Sequence, residues 1–454
     1  MLAIPESQVV RHRARYRVDG EVGRFEFETY DVRDTNGRIA FHGFGALPIR
    51  TGKQWYQTAG FKENAILHGV LDRSYRKTTV AFNIQRRQVK GGTPLSTLRD
   101  AAESQGVAVM AAIEDETQRT FAEHQFTNQG QHIVPTEPPS PDSLPKKLPT
   151  LNAVKVEEAR QETCREMNHR GFTQEQIAKA KVQAVQASEL SVHEYESPEH
   201  TTNISVDEVC IKKQKRHRKP TSASVVEDSD DELKRVHTTV ARIEHQGKGF
   251  TLVGANLFTI LRFLLAFLLR NGLSQHRLRF YVDGQRTLQD GILTFFSWHR
   301  SVSLILDWFH VEKKFKELLS MAMKGRVYRN EQVSAVLRLL WYGLVDDAIV
   351  HLRSINPDVI KDPSQIEALV VYLERNRSWI PNYAMRRRLK LCNSSNPVER
   401  TNNLVASQRQ KKNGMSWSTD GSLALSALAC VVLNNRTNEW LTECQFSLTF
   451  DTAA

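Results

Sequence analysis

Apolar and polar positions alternate through RYRVDGEVGRFEFETYDV and RIAFHGFGAL, within residues 11–48, with Gly and Asn-Gly turn signals between the runs. Period-two patterning of this kind predicts a small β-rich element in 1–60. From about residue 62 the spacing becomes helical, through ENAILHGVLDRSYRKTTVAFNIQRR, a Gly-Gly break and then TPLSTLRDAAESQG. Thr93 as N-cap with Pro94 at the first helical position starts the next helix, and Gly106 is expected to stop it. Residues 61–127 therefore read as short helices, either a helix-turn-helix or a plain helical hairpin. The proline-rich stretch 128–150 reads as an extended linker, and 151–200 as a further helical segment that includes FTQEQIAKAKVQAVQASEL.

Beyond residue 200 the order of elements is more informative. Strands are predicted at 203–211, 236–244 and 249–254, a helix at 256–271, a strand at 278–283, a helix near 287–298 and a strand at 302–307. Such an order builds an α/β fold in which a meander is followed by two strands added through crossover helices, giving a mixed five-stranded sheet. Between Asp307 and Glu399 the patterning is helical (FKELLSMAMKG, QVSAVLRLLWYGLVDDAIVHLRSI, QIEALVVYLERN), so 313–392 is expected to be an all-α insertion. The core is then divided into 201–312 and C-terminal helices at 393–454.

Composition narrows the partners. The 454 residues carry 62 Lys+Arg against 51 Asp+Glu, a net charge of +11 and a pI near 9.4, a balance that favours a polyanionic partner. The basic run KKQKRHRK, which holds Lys212, Lys213 and Lys215, is followed by the acidic VVEDSDDE; it reads as phosphate contact or as a solvated loop whose halves attract. Five cysteines without a CxxC pair argue against a disulfide framework or zinc ribbon. The start lacks the apolar run of a signal peptide. LFTILRFLLAFLL is interrupted by Arg262 and shorter than the roughly 20 residues a membrane span needs, so a buried helix is expected, with no membrane partner and a cytoplasmic location.

Three carboxylates stand out: Asp207 in NISVDEVCIK, Asp283 in RLRFYVDG and Glu399 in NSSNPVERTNN. The first two lie in or at the end of apolar strand patterns, where a charge buried without a partner would be costly. If their strands are parallel neighbours, both emerge at one sheet edge, and a late helix packed there could bring Glu399. Three carboxylates, together with phosphate oxygens and water, suffice for a pair of Mg2+ ions, with Mn2+ as a substitute, acting on a phosphodiester. Asp207, which would lie centrally on the first strand, is expected to bridge the ions. Asp290 and Asp307 are rivals for the second position. Arg400, Arg409, Lys411 and Lys412 follow Glu399 at helical spacing, as a phosphate-tracking row or the solvated face of an amphipathic helix. Trp417 either stacks on an unpaired base or caps the core. Arg76, Arg86 and Arg87 are the corresponding candidates in 61–127. Neither a phosphate-binding GxxxxGK[ST] string nor a dinucleotide fingerprint is present, so no nucleotide cofactor is expected.

This order of elements and carboxylates resembles the ribonuclease H-like core of DDE transposases and retroviral-type integrases. The strings ISVDEVCIKKQK, FYVDGQRTLQDGI, LILDWFHVEKKFKELL, LWYGLVDDAIVHL and NSSNPVERTNNLVASQRQKKNGMSWS are similar to bacterial insertion-sequence transposases. LDWFH resembles a signature of Mutator-like transposases, which gives Asp307 and His310 a supporting role. The resemblance covers about 201–454, is weaker over 62–127 and is absent from 1–60. It implies that Asp283 and Glu399 each complete one metal site, that the partner is double-stranded DNA at element ends and target, that the chain acts as a homo-oligomer there, and that it works on the bacterial nucleoid. A nuclease or resolvase that cuts without joining, or a non-catalytic DNA-binding protein, are the alternatives.

Overall fold

The computed structural model describes residues 10–33, 39–41, 56–71, 74–88, 92–129, 132–137, 147–182, 190–191, 193–214, 235–394, 400–411 and 416–450. Glu399, Lys215 and Lys412 lie outside these residues. The chain is α/β and divides into two compact units: Met1–Ala112 with Ile211–Val236 and Val405–Phe446, and Ile113–Cys210 with His237–Leu404 and Ser447–Ala454.

In the first unit, β1 (Val10–Gly20) and β2 (Gly23–Arg33) form an antiparallel hairpin in the register Gly20↔Gly23, and β3 (Ile39–Phe41) and β4 (Tyr56–Gln57) extend it to the order β3-β2-β1-β4. Three helices follow, α1 (Ala59–Leu71), α2 (Tyr75–Gln85) and α3 (Leu95–Glu123). The Ser74 side chain accepts from Lys77 N and starts α2, splitting the helical run read from the sequence. Phe61, Ala65, Phe82, Leu98 and Ala101 make the small core beneath. Gly106 does not stop α3, which runs on to Glu123. A Cβ at Gly106 would overlap the Ala424 carbonyl in helix Thr419–Leu433, so this glycine permits a close helix crossing.

The second unit contains a hairpin, β5 (Phe126–Gln129) with β6 (His132–Pro135), which occupies the start of the segment expected to be linker. Helices α4 (Ala153–His169) and α5 (Gln174–Val182) come next. The main sheet has β7 (Thr201–Lys212), β8 (Arg235–His245), β9 (Lys248–Gly254), β10 (Arg277–Val282) and β11 (Val302–Leu306) in the order β11-β10-β7-β8-β9. β10 pairs in parallel with both β7 and β11, whereas β8 and β9 are antiparallel. The crossovers are α6 (Leu257–Arg270) between β9 and β10, and α7 (Arg286–Phe295) between β10 and β11.

Helix α6 is apolar on nearly every side, and its stretch from Phe263 to Leu269 is buried throughout, as expected of a helix inside a core. Its two arginines pair with the last part of α3, residues 113–123, which belongs to this same second unit: Arg262 Nη1 donates to Glu114 at 3.1 Å, and Arg270 Nη1 to Glu123 at 2.5 Å. No described helix is long and apolar enough to cross a membrane.

After β11 come α8 (Trp308–Ala322), α9 (Arg326–Trp341), α10 (Val345–Arg353), α11 (Pro363–Asn376) and α12 (Tyr383–Arg388). They share one core built on Val311, Phe315, Leu319, Leu340, Leu369 and Leu373, and no strand lies among the described residues of 313–392. Trp308 and Trp341 pack edge to face, ring centroids 4.8 Å apart. A buried ion network joins these helices to the sheet. Arg386 Nη1 donates to Glu196 Oε1 at 2.6 Å, and Arg279 Nη2 lies 3.3 Å from Glu196 Oε2.

Candidate functional site

The parallel register determines where the carboxylates meet. Tyr281 of β10 stands opposite Ser205 of β7, and Leu306 of β11 opposite Val282. Two residues beyond the first pair and one beyond the second bring Asp207, Asp283 and Asp307 to one level, just past the carboxyl ends of β10 and β11 and midway along the longer β7. Open α/β sheets commonly bind ligands outside this end.

Each carboxylate is held differently. Asp207 is half-buried; its Oδ1 accepts from the Glu208 backbone at 2.8 Å and its Oδ2 from the Asn402 side-chain amide. The Asp283 Oδ1 accepts from Gln285 N at 2.8 Å, which fixes the turn into α7. Gly284 between them has φ +93°, and Arg375 of α11 donates to its carbonyl at 2.7 Å. Asp307 is fully buried, caps α8 by accepting from Phe309 N at 2.9 Å, and has its other oxygen 2.9 Å from His310 Nδ1. Burial acts to lower the His310 pKa, but the Asp307 hydrogen bond and the charges of Asp307, Asp283 and Asp207 outweigh it and raise the pKa. The imidazole thus faces the same acidic edge.

A cleft of ≈ 650 Å³ opens beside this edge, lined by Glu208, Asp283, His310, Lys313, Lys314 and Tyr372 among others. An acidic floor with lysines on one wall can hold a divalent cation and the phosphate it neutralises. The donors are oxygens, the ligand type that magnesium takes.

Both flanks of the segment that carries Glu399 meet the site. Upstream, Trp308 N donates to the Asn393 carbonyl at 3.2 Å, next to Asp307. Downstream, Asn402 reaches Asp207. Residues Asn403–Lys411 continue as a π-helix, a form rare at this length and often found at functional sites.

Several expected nucleic-acid contacts lie inside the first unit instead. Arg86 is buried, donating to Asp19 Oδ1 at 2.5 Å, to the Gly20 carbonyl and to Thr93, with its guanidinium over Phe82. Arg409 is also buried; it donates to the Gly69 carbonyl at 2.9 Å and stacks over Tyr75 and Trp417. Trp417 is only 6 % exposed, donates from its indole to the Gln410 carbonyl, and pairs through its backbone with Lys212 and Gln214. A guanidinium or indole enclosed in this way has no face to offer a phosphate or a base. Arg76, Arg87, Lys212, Arg400 and Lys411 are exposed and Lys213 is partly so.

The sequence reading missed Asn402, Glu208 and the α8 lysines. The lysines had a visible signal, because Lys313 and Lys314 follow His310 by three and four residues and so share its helix face. Asn402 had none beyond its nearness to Glu399. No protein-family model matches the chain, and no curated protein matches it.

Proposed function

We propose that the chain is a metal-dependent DNA transposase of an insertion sequence, which cuts DNA at the ends of its element and joins the freed 3′-hydroxyls to a target. The observation that carries this reading is the alignment of Asp207, Asp283 and Asp307 across three parallel strands. The order β9-β8-β7-β10-β11, with only β8 reversed within it, supports a ribonuclease H-like sheet.

Asp207, with Asp283 and Glu399, would hold two Mg2+ ions, or Mn2+ in their place. Glu399 is assigned by the resemblance, and the contact of Asn402 with Asp207 supports it. Bound there, the ions make water or a 3′-hydroxyl nucleophilic and neutralise the departing oxygen. Asn402 orients the Asp207 carboxylate, Gln285 N holds that of Asp283, and Asp307 fixes the His310 ring beside both. Lys313 and Lys314 would meet the phosphate backbone in the cleft. Exposed Arg76, Arg87, Lys212, Arg400 and Lys411 would track DNA further out. Joining requires two ends held together, so a homo-oligomer on DNA follows, working in the cytoplasm on the nucleoid.

The test uses the full chain, Mg2+ and plasmid DNA carrying the sequences that flank its gene. Asp207→Asn and Asp283→Asn should each reduce cleavage below detection and leave DNA binding within about twofold, because only metal ligation is lost. Retained cutting in either variant overturns the assignment. A pre-cut 3′ end offered with target DNA separates a transposase, which joins them, from a nuclease, which does not.

A further inference from the structure

A second group of metal-ligating side chains lies on the same sheet, outside the aspartate row. Glu208 and Cys210 are two residues apart on β7, so the strand period turns both to one face, and His237 is on the neighbouring β8. The Cys210 sulfur lies 3.4 Å from His237 Nδ1, and Glu208 Oε1 lies 3.3 Å from that same nitrogen. All three donor atoms fall within 4.8 Å of one another.

Nucleophilic catalysis does not account for this arrangement. In a nucleophile, base and carboxylate relay the imidazole uses one nitrogen for each partner, whereas here both partners converge on Nδ1. Through that nitrogen the ring can share at most one proton between the sulfur and the carboxylate, whereas a cation can be ligated by all three groups at once. A tetrahedral zinc with Zn–S of about 2.3 Å and Zn–N and Zn–O of about 2.0–2.1 Å has ligand-to-ligand edges of roughly 3.3–3.6 Å. The observed separations at Nδ1 match those edges.

We propose that Glu208, Cys210 and His237 form a binding site for a thiophilic divalent cation, zinc in the first place, with a fourth position left for water. Thiolate and imidazole select zinc over magnesium, so the site differs in kind from the all-oxygen row beside it. Glu208 also lines the cleft with Asp283 and His310, and its backbone N–H is bonded to Asp207. The zinc site stands on its own geometry and does not depend on the transposase reading.

Chelator-stripped full-length protein titrated with Co2+ tests this. Wild type should develop a thiolate-to-cobalt charge-transfer band that saturates at one equivalent bound at this site, apart from any Co2+ taken by the aspartate row, and zinc should remove it. Cys210→Ser should remove the band, and His237→Gln should weaken Co2+ binding by about tenfold or more. Cys444→Ser, at an exposed cysteine, and Asp283→Asn should leave the band intact, the latter separating this site from the aspartate row. Absence of a band in wild type, its survival in Cys210→Ser, or unchanged affinity in a His237→Gln protein with native circular dichroism overturns the proposal.

Discussion

Asp283 owes its position to the glycine that follows it. Gly284 has φ +93°, where side chains other than hydrogen are strained, and a Cβ there would lie 2.7 Å from Cε2 of the Tyr372 ring. Gly284→Ala should therefore push the 283–285 turn away from α11. A displacement of about 1 Å at a catalytic group can cost about 100-fold in rate, and cleavage in Mg2+ is expected to fall by that order while the far-ultraviolet dichroism stays native. Wild-type cleavage by Gly284→Ala would show that the turn does not set the site. At this scale the sequence was informative where a charge met an apolar strand pattern, as at Asp207 and Asp283. It was misleading for Arg86 and Arg409, because a sequence displays a charge but not its distant partner, whereas for Trp417 the core-capping alternative is the one found. Arg86 is matched to Asp19 across 67 positions, and Arg409 to the Gly69 carbonyl across 340.

Elements were more legible than side chains, since strands and helices follow local periodicity. The strands predicted from 203 to 307 are found with ends shifted by a few residues, and 313–392 is helical in its described residues. What periodicity could not show was how α12 is tied to β10. Glu196 does this from the segment before β7, enclosed between Arg279 and Arg386. Burial raises the pKa of this carboxyl, but the two guanidiniums more than offset it and lower the pKa to about 2. A carboxylate whose folded pKa is depressed contributes stability at pH above its unfolded value of about 4.3 and loses it as pH falls toward the folded value. Glu196→Gln leaves two buried cations with no counter-charge, which should destabilise the second unit by about 3–5 kcal/mol at neutral pH. Urea unfolding should show this deficit shrinking between pH 5 and pH 2, as protonation makes wild type resemble the variant. A deficit constant across that range would mean that the charge of Glu196 is not what holds the elements together.

At the scale of the whole molecule, the net charge of +11 acts through the arginines and lysines that reach water. Among the described residues Arg86, Arg277, Arg279, Arg386 and Arg409 are buried, as are Asp19, Glu196 and Asp307, so burial there removes little of the excess. Binding to a polyanion through exposed arginines and lysines releases counterions, and affinity falls linearly on logarithmic axes as salt rises. The inside and outside arginines then behave differently. Replacing an exposed one, Arg87→Ala or Arg400→Ala, should leave thermal stability nearly unchanged and reduce the salt slope of DNA binding by about one if that residue meets a phosphate. Replacing a buried one, Arg86→Ala or Arg409→Ala, should lower the melting temperature because Asp19 loses its counter-charge or the Tyr75–Trp417 stack loses its centre. The slope should persist in whatever protein remains folded. Fluorescence anisotropy of a labelled duplex across a salt series, paired with thermal melts, separates the two groups. If Arg86→Ala or Arg409→Ala lowered the slope without touching the melt, these side chains would have to be exchanging between the interior and the DNA, and the enclosed arrangement around Asp19 and Trp417 would not be the one that meets nucleic acid.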